Sequence, residues 1–159
     1  MDLHELVARE SARDLVARYN ACGDGDQLDE MISLFADDAV MDVGDWGRHE
    51  GLAAIRAFFE GVRRPANADP ATKRRFIRHF TATHLIDVES PNRARGQCYF
   101  LVLSTDGLDH WGRYLDIYTN SNGPWLFAHR KVIVEGMIPN GWAAARQTQT
   151  TQTTQTTRE

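Results

Sequence analysis

The sequence predicts one α+β domain, in which helices come first and an antiparallel sheet follows. Apolar residues recur at helical spacing over residues 3–22 and again over residues 51–62. The second half of the chain contains four strand-like segments, at about residues 75–89, 93–105, 110–120 and 124–138. Turn-forming residues separate these segments, which predicts three successive hairpins and therefore a meander.

The N-terminal half is expected to supply the remaining elements. The first helix should end near Gly23, because the run Gly23-Asp24-Gly25-Asp26 favours a turn. Asp26 is expected to cap a short second helix. Residues 39–43 predict a short strand and residues 65–72 a loop.

Length, charge and cysteine content bound the class of protein. The chain has 159 residues, of which 42% are hydrophobic, enough for one domain with a proper core. A net charge of −4 without a dominant basic cluster argues against a nucleic-acid surface. Cys22 and Cys98 lack metal-type spacing, so neither a metal site nor a disulfide is expected. We see no signal peptide and no apolar run near the ~20 residues of a membrane span, which predicts a cytoplasmic protein that does not bind membranes.

The end of the chain differs in composition from the rest. Residues 147–157 consist only of Gln and Thr and cannot bury apolar surface. We therefore expect a domain over residues 1–140 and a flexible Gln/Thr-rich tail over residues 141–159.

The long segment from residue 75 contains two histidines. Strict alternation along a strand puts His79 on one face, with Ile77 and Thr81, and His84 on the other. A histidine on a mostly apolar face is more often a packed core residue than a functional one. Motifs elsewhere in the chain are what make His79 a candidate.

Several short motifs occur in a characteristic order. They are a helix ending in Gly23-Asp24, the run Leu34-Phe35-Ala36-Asp37-Asp38-Ala39-Val40, then Arg78-His79-Phe80, Gly112-Arg113-Tyr114-Leu115-Asp116 and His129-Arg130. Together they resemble the SnoaL-like branch of the NTF2-like superfamily over roughly residues 5–138. The resemblance implies a cone-shaped α+β roll, with N-terminal helices packed on a curved, mainly antiparallel sheet. This scaffold hosts many unrelated activities, so the fold alone does not define the chemistry.

The resemblance also implies a catalytic pair. In scytalone-dehydratase-like lyases and in hexachlorocyclohexane dehydrochlorinase, an aspartate ending the first helix contacts a histidine on the first long strand, and Asp24 and His79 match those positions. A carboxylate at about 2.6–3.2 Å would fix the imidazole tautomer and favour proton removal by the other nitrogen. Asp26 is the rival for this role. Arg130 matches an arginine that lines the pocket in dehydrochlorinase-like members, and its alternative is an ion pair, for example with Asp116.

The cone implied by the resemblance would enclose a cavity between the first helix and the sheet. Five residues are expected to contact a mid-sized hydrophobic ligand there, although each is also a candidate for plain core packing. They are Tyr19, Trp46, Cys98, Phe100 and Tyr114. The histidines His49, His110 and His129 are expected at the surface or behind the site.

The resemblance implies a cofactor-free lyase that removes a proton and expels a leaving group from a small hydrophobic cyclic substrate. An isomerase or cyclase, a non-catalytic binding protein and an oxygenase β-subunit-like assembly protein are the alternatives. No histidine occurs at residues 94–104, where scytalone dehydratase has one, which argues against a strict scytalone-type dehydration. A homodimer or homotrimer is expected, through the strand face that carries Arg95, Gln97, Tyr99, Leu101 and Leu103.

Overall fold

The computed structural model describes residues 1–63, 76–121 and 123–145, and within them the helices precede most of the sheet. The helices are α1 (Leu3–Gly25), α2 (Leu28–Ile32) and α3 (Gly51–Arg63). The strands are β1 (Phe35–Asp42), β2 (Arg48–Glu50), β3 (Ile77–Ser90), β4 (Arg93–Ser104), β5 (Gly107–Thr119) and β6 (Leu126–Met137), with a 3₁₀ turn at Gly44–Trp46. The loop expected at residues 65–72 lies outside the described residues.

The long helix α1 has a defined start and a defined stop. The side chain of Asp2 accepts the N–H of Glu5 at 2.8 Å and caps the first turn. At the other end, Asp26 adopts a left-handed conformation with φ of 65° and donates its N–H to the carbonyl of Cys22. The prediction that Asp26 caps α2 is wrong: Gln27 occupies that position without a side-chain bond, because Asp26 terminates the longer helix. None of the described helices has the length and apolar character needed to cross a membrane.

One sheet of six strands, in the order β2-β1-β6-β5-β4-β3, forms the second layer. Every neighbouring pair is antiparallel except β1 and β6, which run parallel. This confirms the predicted α+β architecture and the meander over the last four strands. The short strand β2 was not predicted, since only three residues of it pair with β1.

The alternation of side chains along β3 is broken at Thr83. The pairing of β3 with β4 shifts register between Ala82 and Leu85, and Thr83 has a positive φ of 52°. Such a bulge adds one residue and reverses which face the following side chains occupy. His84 therefore turns to the inner face and bonds Tyr118 there, through Nε2 at 3.1 Å from the phenol oxygen. The expectation that His79 and His84 point to opposite faces is wrong for this reason.

The core lies between α1 and the inner face of the sheet. Tyr19, on α1, is its central contact. Its ring meets four others edge-on at centroid distances of 5.8–6.2 Å, namely Phe35, Phe59, Tyr114 and Phe127. Edge-to-face packing at these distances is favourable beyond area burial alone, so Tyr19 fixes α1 against β1, β5 and β6.

The packed part of the chain extends beyond the boundary expected at residue 140. The N–H groups of Trp142 and Ala143 both donate to the carboxylate of Asp109, at 2.6 and 3.1 Å, and Ala143 is fully buried. Residues 141–145 therefore belong to the fold, and residues 146–159 of the expected tail lie outside the described residues.

Replacing Thr83 with Asn should stabilise the protein. A β-branched residue is strained at positive φ, whereas Asn tolerates this region, so a gain of up to ~1 kcal/mol is expected. The same change at Thr81, in regular strand, should cost a few tenths of a kcal/mol through lost β-propensity. Thermal unfolding of the two variants tests this, and equal losses at both positions would contradict the account of the bulge.

Candidate functional site

Asp24 and His79 meet where the last turn of α1 approaches the start of β3. The Nδ1 atom of His79 lies 2.6 Å from Oδ1 of Asp24, within the range expected from the sequence. The backbone N–H of His79 also donates to the other carboxylate oxygen, at 3.1 Å. The side chains of His79 and Asp24 are only 19% and 12% exposed. Asp24 makes this contact, whereas the rival Asp26 forms the end of α1.

The hydrogen bond defines the chemistry of the imidazole. A carboxylate only accepts hydrogen bonds, so Nδ1 of a neutral His79 carries the proton and Nε2 presents a lone pair. His79 pairs with Val102, which is 2% exposed on the inner face, so the ring belongs to that face too. The arrangement is therefore able to accept a proton from a group held against the inner face.

Arg130 is deep in the core rather than at the dyad. It has no exposure and forms a two-point ion pair with Asp116, with Nε–Oδ1 and Nη2–Oδ2 distances of 2.9 and 2.7 Å. The guanidinium lies 4.1–4.2 Å from the ring centroids of Tyr19, Tyr114 and Phe127. Burial opposes its charge, but Asp116 more than offsets this and raises the pKa of Arg130.

Of the two expectations for Arg130, the structure contains the ion pair with Asp116. Within the described residues, neither Asp24 nor His79 contacts the guanidinium. Tyr19, whose ring the guanidinium contacts, precedes Asp24 by five residues, roughly 7 Å along α1. One atom of Arg130, Nη1, is buried without a hydrogen-bond partner among the described residues.

A chain of buried polar groups continues from this ion pair. The phenol of Tyr118 donates to Asp116 at 3.0 Å, and its oxygen lies 3.1 Å from Nε2 of His84. Burial is the main cause that raises the pKa of Tyr118 and lowers that of His84. Sequence reasoning missed His84 because the bulge at Thr83 leaves no mark on the residue pattern.

The five expected ligand contacts line the same interior but are well packed. Tyr19, Cys98, Phe100 and Tyr114 are each 8% exposed or less, and Phe100 stacks on Tyr114 at 4.6 Å between centroids. Trp46 is half-buried and meets Trp142 edge-on at 5.8 Å. Burial raises the pKa of the Cys98 thiol to about 12, so this thiol is not a nucleophile near neutral pH. Their contact with a ligand stays a prediction.

His110 was expected at the surface or behind the site, and the structure buries it. It is 6% exposed and lies on the inner face, in the cross-strand row His79–Val102–His110. His110 shares this face with Tyr114 and Asp116 by regular alternation along β5. A register shift between Val102 and Leu103 leaves Asp109 as an extra residue, and this shift buries Asp109. Strand alternation cannot reveal such a shift, so the sequence carried no signal for Asp109, whereas alternation with Tyr114 was a signal for the inner position of His110. His49 and His129 are half-buried.

Comparisons with known proteins agree with the fold described above. A family model described as the SnoaL-like domain matches residues 4–131. A candidate scytalone dehydratase from Novosphingobium aromaticivorans superposes with a TM-score of 0.72 at 19% identity, covering 87% of this chain and 91% of that one. The hexachlorocyclohexane dehydrochlorinase LinA-type3 from Novosphingobium barchaimii gives 0.70 at 20% identity, covering 87% and 94%.

A third solved structure has a different role. The β subunit of a candidate aromatic-ring-hydroxylating dioxygenase from Novosphingobium aromaticivorans gives a TM-score of 0.69 at 20% identity, covering 84% of this chain and 93% of that one. Comparison with curated protein sequences gave no match. At these identities the structural likenesses show a shared fold, the NTF2-like roll, and no particular reaction.

The buried ion pair yields a stability prediction. Asp116→Leu leaves the Arg130 guanidinium buried without its partner and should cost about 3–5 kcal/mol in the free energy of unfolding. Adding Arg130→Met removes the stranded charge and should recover most of that loss. Urea unfolding of the single and double variants measures both effects. A double variant no more stable than Asp116→Leu would show that the pair is not coupled in this way.

Proposed function

Because the chain belongs to the SnoaL-like family, and because an aspartate-backed histidine lies on the inner face of its sheet, we propose that it is a cofactor-free lyase. The reaction is a β-elimination on a small hydrophobic cyclic molecule, begun by proton abstraction. The observation that most supports this proposal is the Asp24–His79 hydrogen bond, which leaves Nε2 of His79 as the basic atom.

The elimination needs no reactant other than the substrate and the His79 base. Nε2 of His79 takes a proton from a ring carbon, and the C–H electron pair becomes a double bond to the neighbouring carbon. The bond to the leaving group breaks, and that group departs with the bonding pair. Asp24 stabilises the imidazolium that forms, and the proton then passes to solvent or to the departed anion.

The surroundings favour an apolar substrate. The inner face beside the dyad carries aromatic rings and few polar groups, which suits a hydrophobic ring. We assign substrate contact to Tyr19, Trp46, Cys98, Phe100 and Tyr114. Arg130 enters the proposal as a buried positive charge that favours a developing anion, an effect that its pairing with Asp116 reduces.

The same Asp24–His79 dyad supports a second candidate function. If the proton returns to another carbon, or if the carbanion closes a ring, the protein is an isomerase or cyclase of a polyketide- or steroid-like molecule. Both candidate functions begin with proton abstraction by His79 and differ in their product, so identification of the product distinguishes them.

Turnover should depend on the dyad. His79→Ala should abolish it while changing ligand affinity by only a small factor, because the base acts mainly in the transition state. Asp24→Asn should reduce kcat by about 10²–10⁴, because the wrong tautomer becomes available. A panel of chlorinated and hydroxylated cyclic compounds, followed by halide release and by absorbance of the new double bond, measures these effects.

Asp26→Asn is the matched control for this experiment, since it makes the same change two residues further along. It should keep kcat within a few-fold of the wild type. Equal losses for Asp24→Asn and Asp26→Asn, or full turnover by His79→Ala, would refute the assignment of the dyad.

We also propose that the protein forms a homodimer or homotrimer through the outer sheet face. Phe80, Leu101 and Trp111 form one row across β3, β4 and β5 and are 53%, 38% and 38% exposed. Tyr99, next on the same face, is 51% exposed. Arg95, Gln97 and Leu103 share this face of β4. Such a contiguous apolar row favours coverage by a partner, and a second copy is the simplest one.

Leu101→Arg should convert this oligomer to a monomer, because it places an unpaired charge at the centre of the apolar row. Sedimentation velocity should show a dimer or trimer for the wild type and an 18.0 kDa species for the variant. A wild type that sediments only at 18.0 kDa at high concentration would contradict self-association and would favour an assembly role with a different protein.

A further inference from the structure

A second carboxylate–imidazole pair lies on the inner face of the sheet. Nδ1 of His110 is 2.8 Å from Oδ1 of Asp109, and the two side chains are 8% and 2% exposed. His110 stands directly across Val102 from His79 in the strand register. Two strand spacings place the two backbones roughly 10 Å apart.

Asp109 fixes the state of the His110 ring. Its carboxylate accepts three hydrogen bonds, from His110 and from the N–H groups of Trp142 and Ala143. Burial alone would raise the pKa of Asp109, but these three bonds lower it below its usual value. Asp109 is therefore ionised near neutral pH, and Nδ1 of His110 carries the proton. Burial is the main cause that lowers the pKa of His110, so its neutral form is favoured and Nε2 presents a lone pair.

Aromatic contacts hold the ring in this orientation. Trp142 stacks on His110 at 5.9 Å with an interplanar angle of 27°, and Phe100 meets it edge-on at 5.8 Å. Asp109 also accepts a hydrogen bond from the backbone N–H of Trp142. The carboxylate therefore positions both the His110 ring and the Trp142 side chain that stacks on it. Among the described residues, Nε2 of His110 has no hydrogen-bond partner.

We propose that His110 contacts the substrate, accepting at Nε2 a hydrogen bond from a substrate hydroxyl, and that Asp109 is its positioning residue. This deepens the proposed function by naming a substrate class: a hydroxylated hydrophobic ring system. The acidic carbon faces His79, and the hydroxyl lies on the order of 5 Å away across one or two fused rings, given the strand spacing and two contacts of about 3 Å. An acceptor in an apolar site rejects a ligand that lacks the matching donor, so His110 determines specificity.

Matched probes test the contact without requiring turnover. The probes are 2-naphthol and 2-methoxynaphthalene, which differ in the hydroxyl hydrogen and a methyl group. Calorimetry should show wild-type protein binding 2-naphthol at least about tenfold more tightly, the order expected for one buried hydrogen bond. His110→Phe keeps an aromatic ring between Trp142 and Phe100 and should bring the two affinities within about twofold. His79→Ala should retain the preference.

A second variant guards against misfolding of the first. His110→Gln offers an amide oxygen as acceptor and should keep part of the preference for 2-naphthol. Asp109→Asn should reduce that preference, and ¹⁵N NMR should show the His110 ring shifting from the Nδ1–H tautomer to a mixture. A purely structural role for Asp109 would leave the tautomer unchanged.

The outcomes separate this inference from the proposed function. If His79→Ala loses turnover but still binds 2-naphthol more tightly than the ether, the result supports both the lyase and the His110 contact. A preference that survives His110→Phe, or that is lost in His79→Ala instead, overturns the assignment of His110 whatever the enzyme activity. Failure of the wild type to bind 2-naphthol more tightly than the ether also overturns it. Absence of any turnover, with the preference intact and dependent on His110, contradicts the lyase alone.

Discussion

Arg130 carries a full charge at a position with no exposure to solvent, and its pairing with Asp116 makes that position tenable. The two-point contact joins β6 to β5, and the guanidinium then offers its face to three aromatic rings. One of these rings is Tyr19, the residue through which α1 packs on the sheet. The ion pair therefore helps to fix the position of α1 on the sheet. The last turn of α1 in turn places Asp24 beside His79.

The interior has two regions with different duties. Around Arg130, hydrogen bonds link Asp116, Tyr118 and His84, and Nη1 of Arg130 alone is left without a partner among the described buried side-chain atoms, which makes this region a rigid support. At the other end of the same face, the imidazoles of His79 and His110 each bond a carboxylate through Nδ1 and present Nε2 to their surroundings. Chemistry is expected at the second region, because there Nε2 of each ring is a basic atom that has no hydrogen-bond partner among the described residues, and Nδ1 of the same ring bonds a carboxylate.

Local signals were sufficient for much of the fold. The hairpin turns predict the meander because turn chemistry is written in a few adjacent residues, and helical spacing predicts α1 and α3. The Asp24–His79 contact joins residues 55 positions apart and followed from the resemblance, not from periodicity. Periodicity failed at both register shifts: the bulge at Thr83 moved His84 inward, and the shift after Val102 buried Asp109. Pairing between strands determines such shifts, and a single strand's sequence does not encode them.

The central claim is that Asp24 makes Nε2 of His79 the basic atom, and ¹⁵N NMR of the histidine rings tests it directly. The spectrum of the neutral ring should show Nδ1 protonated and Nε2 unprotonated in the wild type, and a mixture of tautomers in Asp24→Asn. His129, which is half-buried on β6, provides an internal reference that should not change. A wild-type His79 in the Nε2–H tautomer, or one that Asp24→Asn leaves unaltered, would contradict the account.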